Sequence, residues 1–243
     1  MSMNIGILEC GLIPEALQSR YDGYGDMFAR QFAALLPGAS FTVISIVQGA
    51  ALPAADACDA WVIPGSKHGV YDDLPWIEPL KHFIREAATL QRPMVGVCFG
   101  HQIIAEALGG RVEKAAIGFR VGMEQYRTSL GLAGGGETTV AMPAFHQDQI
   151  IVQPPHTEIV ASSPACAFAA LRYTEAPVLT VQFHPEFTRP YLSDLIDVLS
   201  KQDVAPGLPE NAVLDDTGMK WLAAFLQESS SAMPGSPLAM ARR

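Results

Sequence analysis

The chain reads as an α/β protein built on an open, mainly parallel sheet flanked by helices, with a small antiparallel β excursion. Three observations predict this. Short apolar, β-branched runs alternate with stretches of helical length and helical apolar spacing. Proline, glycine and small polar residues punctuate the change from one kind of segment to the other. Between Arg111 and Tyr173 the alternation gives way to short strands separated by turns.

Taken in order, Asn4–Leu8, Phe41–Val47, Ala60–Ile63 and Met94–Val97 are near-continuous apolar runs, as strands buried on both faces require. Gly25–Leu36 sets Met27, Phe28, Phe32, Leu35 and Leu36 at helical spacing, and Pro37-Gly38 stops it. Trp76–Leu90 is a second helix, ended before Pro93, and Gln102–Leu108 a third, closed by Gly109-Gly110. The stretch from Arg111 to Tyr173, with flexible Gly134-Gly135-Gly136, forms the antiparallel excursion at the side of the main sheet. Val178–Phe183 returns as a buried strand, and Pro190–Leu199 and Thr217–Leu226 are closing helices. Residues 228–243, rich in serine, proline and glycine, read as a disordered tail. No repeat or linker divides the remainder, so residues 1–227 read as one domain.

Composition narrows the function. At 243 residues, 17% of them charged and the rest apolar-rich, the chain is globular and long enough for a substantial core. A formal net charge of −9 without any Lys/Arg cluster argues against nucleic acid. No apolar stretch reaches the roughly 18 residues of a membrane helix, and Met1-Ser2-Met3-Asn4 lacks the basic region of a targeting signal. Cys10, Cys58, Cys98 and Cys166 are widely spaced and form no CxxC pair. Neither a disulfide scaffold nor a metal site is expected, no cofactor is implied, and a reducing, cytoplasmic setting fits best.

The strongest local signal is Val95-Gly96-Val97-Cys98-Phe99-Gly100-His101-Gln102. A buried strand ends, a cysteine follows between two glycines, and a helix begins. This is a strand–nucleophile–helix elbow. The turn is sharp, so Gly96 and Gly100 remove side chains that would collide across it. The helix N-terminus aims free N–H groups at the sulfur and at a developing oxyanion. A free thiol with a pKa of about 8.5 is only a few per cent thiolate at neutral pH, and such a setting activates it. Cys10, Cys58 and Cys166 lack this setting and read as structural.

Val181-Gln182-Phe183-His184-Pro185-Glu186-Phe187 also leaves a buried strand. If that strand runs parallel to the one before Cys98, both open on the same sheet edge, where open α/β sheets bind ligands. His184 then serves as base to Cys98. Glu186, two residues on in extended chain, faces the same way and holds the imidazole tautomer. Pro64-Gly65-Ser66 follows the strand Ala60–Ile63. Its glycine turn is placed to aim backbone N–H groups at the site and, with the N–H of Phe99, to form an oxyanion hole. His101 either lines the pocket or is a first-turn helix residue. His146, in the polar turn Phe145-His146-Gln147-Asp148-Gln149, belongs either to a substrate-side loop or to a plain turn. His68, in Pro64-Gly65-Ser66-Lys67-His68, either touches the site or faces water, and His82 and His156 read as surface residues.

Together these pieces resemble the class I glutamine amidotransferase family, in its stand-alone GMP-synthase-like and γ-glutamyl peptidase-like branch. The resemblance rests on Pro64-Gly65-Ser66, on Gly96-Val97-Cys98-Phe99-Gly100-His101-Gln102 and on His184-Pro185-Glu186, and runs from about residue 1 to 200. It implies a flavodoxin-like fold and a Cys98–His184–Glu186 triad that hydrolyses a γ-glutamyl amide, such as glutamine, through a thioester on Cys98. It further implies that Phe99, Gly100, His101 and Gln102 line the substrate site and that the loop bearing His146, Gln147 and Asp148 contacts the glutamine backbone. Most members feed ammonia to a synthetase, and no phosphate-cradling loop occurs here, so a synthetase partner would be a separate chain. The alternatives are a γ-glutamyl peptidase working without such a partner and a non-catalytic regulatory protein of the same fold.

Overall fold

A computed structural model describes residues 3–131, 136–200 and 214–232. The main sheet contains nine strands. Its first half is the predicted parallel array: β1 (Asn4–Glu9), β2 (Ser40–Ser45), β3 (Ala60–Ile63) and β4 (Met94–Val97), joined later in the chain by β11 (Val178–Val181). These stand in the order β2-β1-β3-β4-β11, every neighbouring pair parallel. The four-residue strands β3, β4 and β11 are buried throughout, which is why each reads as an unbroken apolar run.

Helices cover both faces. α1 (Tyr24–Leu35) and α5 (Thr217–Ala232) pack Phe28, Phe32, Met219, Leu222 and Leu226 against Ile5, Val62, Val95 and Leu179. α2 (Ile77–Thr89) and α3 (Phe99–Ala107) pack Leu80, Ile84, Ile103 and Ile104 against Leu8, Trp61 and Met94 on the other face. Alternate residues along each strand thus feed opposite cores. α4 (Arg189–Ser200) completes a smaller cluster, in which Tyr191, Leu192, Leu195 and Ile196 meet Ile13, Leu17 and Phe187.

The fold sharpens one expectation and corrects another. The antiparallel excursion stands at the side of the main sheet, as expected, and is continuous with it. β10 (Ala170–Tyr173), β9 (Thr157–Ser162), β6 (Arg120–Thr128) and β7 (Thr138–His146) extend it beyond β11 as β11-β10-β9-β6-β7. Only β5 (Arg111–Lys114) and β8 (Asp148–Val152) pair separately. The expected tail also begins too early, because α5 continues to Ala232. Within it the Ser231 hydroxyl donates to the Gln227 carbonyl one turn back, at 2.8 Å. The rest of the expected tail and most of the triple-glycine run lie outside the described residues. No described helix is long and apolar enough to cross a membrane.

Candidate active site

The site lies at the carboxyl edge of the parallel strands. Cys98 follows β4 directly and has φ 53° and ψ −103°, a left-handed conformation that few residues other than glycine adopt. The helix starts at once, at Phe99 and not at Gln102 as expected, so the whole reversal is compressed into one residue. Two glycines make room. A Cβ on Gly96 would lie 2.6 Å from the Gly100 carbonyl oxygen, and one on Gly100 only 1.8 Å from that of Ile63. The elbow is thus wedged against the end of β3, and the Gly100 N–H donates to the Pro64 carbonyl at 3.2 Å. The Cys98 N–H donates to Val181 at 2.9 Å, tethering the elbow to β11.

β11 runs parallel to β4 with Val97 opposite Val181, so the chain leaving β11 emerges beside the elbow. The His184 N–H is pinned to the Pro143 carbonyl of β7 at 2.9 Å. Its Nδ1–H donates to Glu186 Oε1 at 2.7 Å, and both side chains are buried. Contrary to expectation, the two do not point the same way along extended chain. The chain turns at Pro185-Glu186, with the Phe187 N–H bonded to the His184 carbonyl at 3.4 Å, and this turn folds the carboxylate back under the ring. Gly65 completes the grouping. A side chain there would stand 3.0 Å from His184 Cε1 and 3.7 Å from Cys98 Cβ. The turn after β3, the elbow and the His184 turn therefore converge on one point. The thiol itself donates to the Phe145 carbonyl at 3.7 Å.

Electrostatics separate the buried histidines. Burial works against a charged His184, yet the Glu186 carboxylate, then Cys98, outweigh it and hold its proton affinity well above the ordinary 6.5. Burial pushes His101 down to about 3, and burial with the nearby His184 pushes His146 down to about 4. Near neutral pH only His184 of the three is set to carry a second proton. Burial also raises the thiols of Cys10 and Cys166, the latter to about 12, with the neighbouring carboxylates Glu9 and Glu124 adding to it.

The remaining predicted residues divide between the cleft and its scaffold. His101 does not line an open pocket: it is fully buried, and its Nδ1 meets Thr180 Oγ1 at 2.7 Å. A side chain in the first helical turn is directed back over the sheet, and Thr180 stands there to receive it. The Phe99 ring is likewise buried, edge-on to Trp76 at 5.6 Å, which leaves its backbone N–H as the part available to the site. Ser66 spends its hydroxyl on the turn, donating to Cys10 O at 2.8 Å and accepting from the His68 N–H at 3.1 Å. Gln102 is buried and braces the loop after β7, its amide donating to Asp148 O at 2.8 Å and Gln182 Oε1 at 3.1 Å. His146 is buried at the end of β7, Gln147 O accepts from Ala115 N–H at 2.9 Å, and the Asp148 carboxylate accepts from the Tyr71 hydroxyl at 2.9 Å.

Sequence reasoning missed two residues that hold the pair. Gln31 of α1 donates its amide to the Glu186 carbonyl at 2.7 Å. Phe187 stacks on the His184 ring with centroids 4.1 Å apart and planes 12° apart. Phe187 adjoins the motif, and its position could have flagged it. Gln31 carries no local signal, because only the packing of α1 brings it there. Among the described residues no group of three or more His, Cys, Asp or Glu side chains is arranged to hold a metal ion.

A doubly covered α/β sheet that brings a strained cysteine and a buried histidine–glutamate pair to the ends of two adjacent parallel strands defines the class. The chain belongs to the class I glutamine amidotransferase family, whose model matches residues 20–191. It is 26% identical over 194 residues to γ-glutamyl peptidase 3 of Arabidopsis thaliana, covering 75% of this chain and 76% of that one. It is 36% identical over 110 residues to a glutamine-hydrolysing GMP synthase subunit of Methanopyrus kandleri, covering 42% of this chain and 56% of that one. The fold matches a crystal structure of a glutamine amidotransferase from Thermotoga maritima with a TM-score of 0.71 at 18% identity, over 94% of this chain and 98% of that one.

Proposed function

We propose that the protein hydrolyses a γ-glutamyl amide, glutamine to glutamate and ammonia in the simplest case, through a thioester on Cys98. The observation that carries this reading is the convergence of Cys98, in a left-handed conformation at the elbow, with the buried His184–Glu186 pair. In this reading the Cys98 sulfur attacks the side-chain carbonyl carbon, and the carbonyl oxygen takes the negative charge. The backbone N–H of Phe99 and the Gly65-Ser66 turn stabilise that oxyanion. His184 then donates its proton to the departing nitrogen, the C–N bond breaks, and a γ-glutamyl thioester remains. Water attacks the thioester with His184 as base, releasing glutamate and the free thiol. Glu186 fixes the ring tautomer and offsets its charge. One domain, reaching through α5 to Ala232, carries the whole cycle, in a cytoplasmic setting and without a cofactor.

A second reading, hydrolysis of γ-glutamyl peptides without a synthetase partner, is favoured by a specific observation. The γ-glutamyl peptidase relative aligns over three-quarters of both chains, whereas the GMP synthase relative aligns over less than half of this one. The two readings share the bond broken and differ in the leaving amine and in the need for a separate synthetase chain. Glutamate release from glutamine and from a panel of γ-glutamyl peptides, by wild type and Cys98→Ala, tests both. Cys98→Ala should be inactive on every substrate, and turnover surviving in it would overturn the mechanism. Release from γ-glutamyl peptides but not from glutamine decides for the second reading. Intact Cys98 that turns over no amide decides for a non-catalytic role.

A further inference from the structure

His184 is held by Glu186 through one hydrogen bond, at Nδ1. One bond fixes a point on the ring and leaves the ring free to rock about that point. Two rings meet it: Phe187 lies face to face with the imidazole, centroids 4.1 Å apart and planes 12° apart, and Phe145 stands edge-on to it at 6.4 Å. Phe187 is itself immobilised. It is 4% exposed. Tyr24 is stacked on it at 6.4 Å, Tyr191 meets it edge-on at 4.9 Å, and Phe145 at 6.3 Å. Tyr24 and Tyr191 are joined through their hydroxyls at 3.0 Å, which closes the aromatic cluster behind the base. A parallel aromatic face also favours the charged form of the ring it covers.

We propose that Phe187 is a positioning residue for the hydrolysis: its face sets the plane in which His184 Nε2 meets Cys98 and supports the imidazolium formed there. The inference rests on the reading of His184 as the acid and base of that reaction. The titratable groups facing His184 are Cys98 from the elbow, Glu186 from its own turn, His146 from β7, and beside Glu186 the hydroxyls of Tyr24 from α1 and Tyr191 from α4. Phe187 is uncharged, so replacing it changes no charge among these groups.

The test compares wild type with Phe187→Leu, Phe187→Met and Phe187→Tyr. The first two keep apolar bulk without a planar face, and the third keeps the face. Two quantities are read: kcat and KM on whichever γ-glutamyl amide the wild type turns over, and the pH midpoint of Cys98 alkylation by iodoacetamide, quantified on the Cys98 peptide. The Leu and Met variants should lose about tenfold in kcat with KM within about twofold. Their alkylation midpoint should rise by about half to one pH unit, because the thiolate loses part of its cationic partner. The Tyr variant should stay near wild type in both. Tyr behaving like Leu and Met overturns the proposal, as does a loss of kcat with no shift in midpoint. If Leu fails to fold, the Met and Tyr variants make the same comparison. If the wild type hydrolyses no amide, the hydrolase reading fails, and the alkylation midpoints still decide whether Phe187 acts on His184.

Discussion

Cys98 shares burial with Cys10, Cys58 and Cys166; what sets it apart is its backbone and its neighbours. The residue scale is where sequence reading was most direct, because a cysteine between glycines at a strand end and a His-Pro-Glu at another can be seen without knowing any contact. His184→Ala should lower turnover by about 10³–10⁴-fold, and Glu186→Gln by less, since orientation and charge support are worth less than the proton transfer itself; initial rates on a γ-glutamyl amide check both. Stability should also report the pair. Glu186 raises the proton affinity of folded His184 above its ordinary 6.5, so the charged ring adds stability that is fully present below about pH 6.5. That contribution is lost as pH rises through the higher folded value. The gap in Tm between wild type and Glu186→Gln should therefore be widest near pH 6 and narrow on the alkaline side. A gap that widens towards high pH would contradict this assignment of charge. Phe187 and Gln31 escaped the sequence reading because a stacking face and a donor to a backbone carbonyl exist only once α1 and the His184 turn have packed.

At the scale of elements, the elbow stores strain that its surroundings enforce. At φ 53° a residue with a Cβ is disfavoured by roughly 1–3 kcal/mol, and glycine is not. Cys98→Gly should therefore be more stable than Cys98→Ala by about 1 kcal/mol in urea unfolding, although both lack the thiol. Gly100→Ala has no such latitude. Its methyl would sit 1.8 Å from the Ile63 carbonyl oxygen, in backbone that cannot yield, and should cost about 3 kcal/mol or more, seen as a large fall in the urea midpoint or a loss of soluble protein. The parallel strands and their helices were legible because burial on both faces produces unbroken apolar runs and α1 shows a clear apolar stripe. Element ends were less so. α3 begins three residues early because its first turn is fixed by packing against β3, and α5 outlasts its apolar pattern, with the Ser231 hydroxyl bonded to its own backbone.

At the scale of the molecule, the antiparallel strands and their place at the side of the main sheet were legible, and their order within it was not. Joining β10 to β11 is a choice between sheet edges, and it depends on backbone hydrogen bonds that side-chain patterns do not encode. The consequence is mechanical. The extension reaches back through β7, whose Pro143 carbonyl holds the His184 N–H. Within it, buried Glu124 accepts from Arg120 at 3.2–3.3 Å and from the Ser163 hydroxyl, tying β6 to the chain after β9. Glu124→Ala should cost about 1–3 kcal/mol in urea unfolding by leaving Arg120 and Ser163 without their acceptor.

Neighbouring parallel strands stand about 4.8 Å apart, and Cys98 and His184 leave from two such neighbours. The two strand ends from which the pair departs are thus set by the backbone lattice. Everything threaded between them, from α3 to β10, hangs like a single garment from two fixed pegs. Pro143 and Phe145 of β7 belong to that fabric and touch both pegs, so tailoring it near β7 moves the pair, and tailoring it elsewhere leaves the pair's backbone supports as they were.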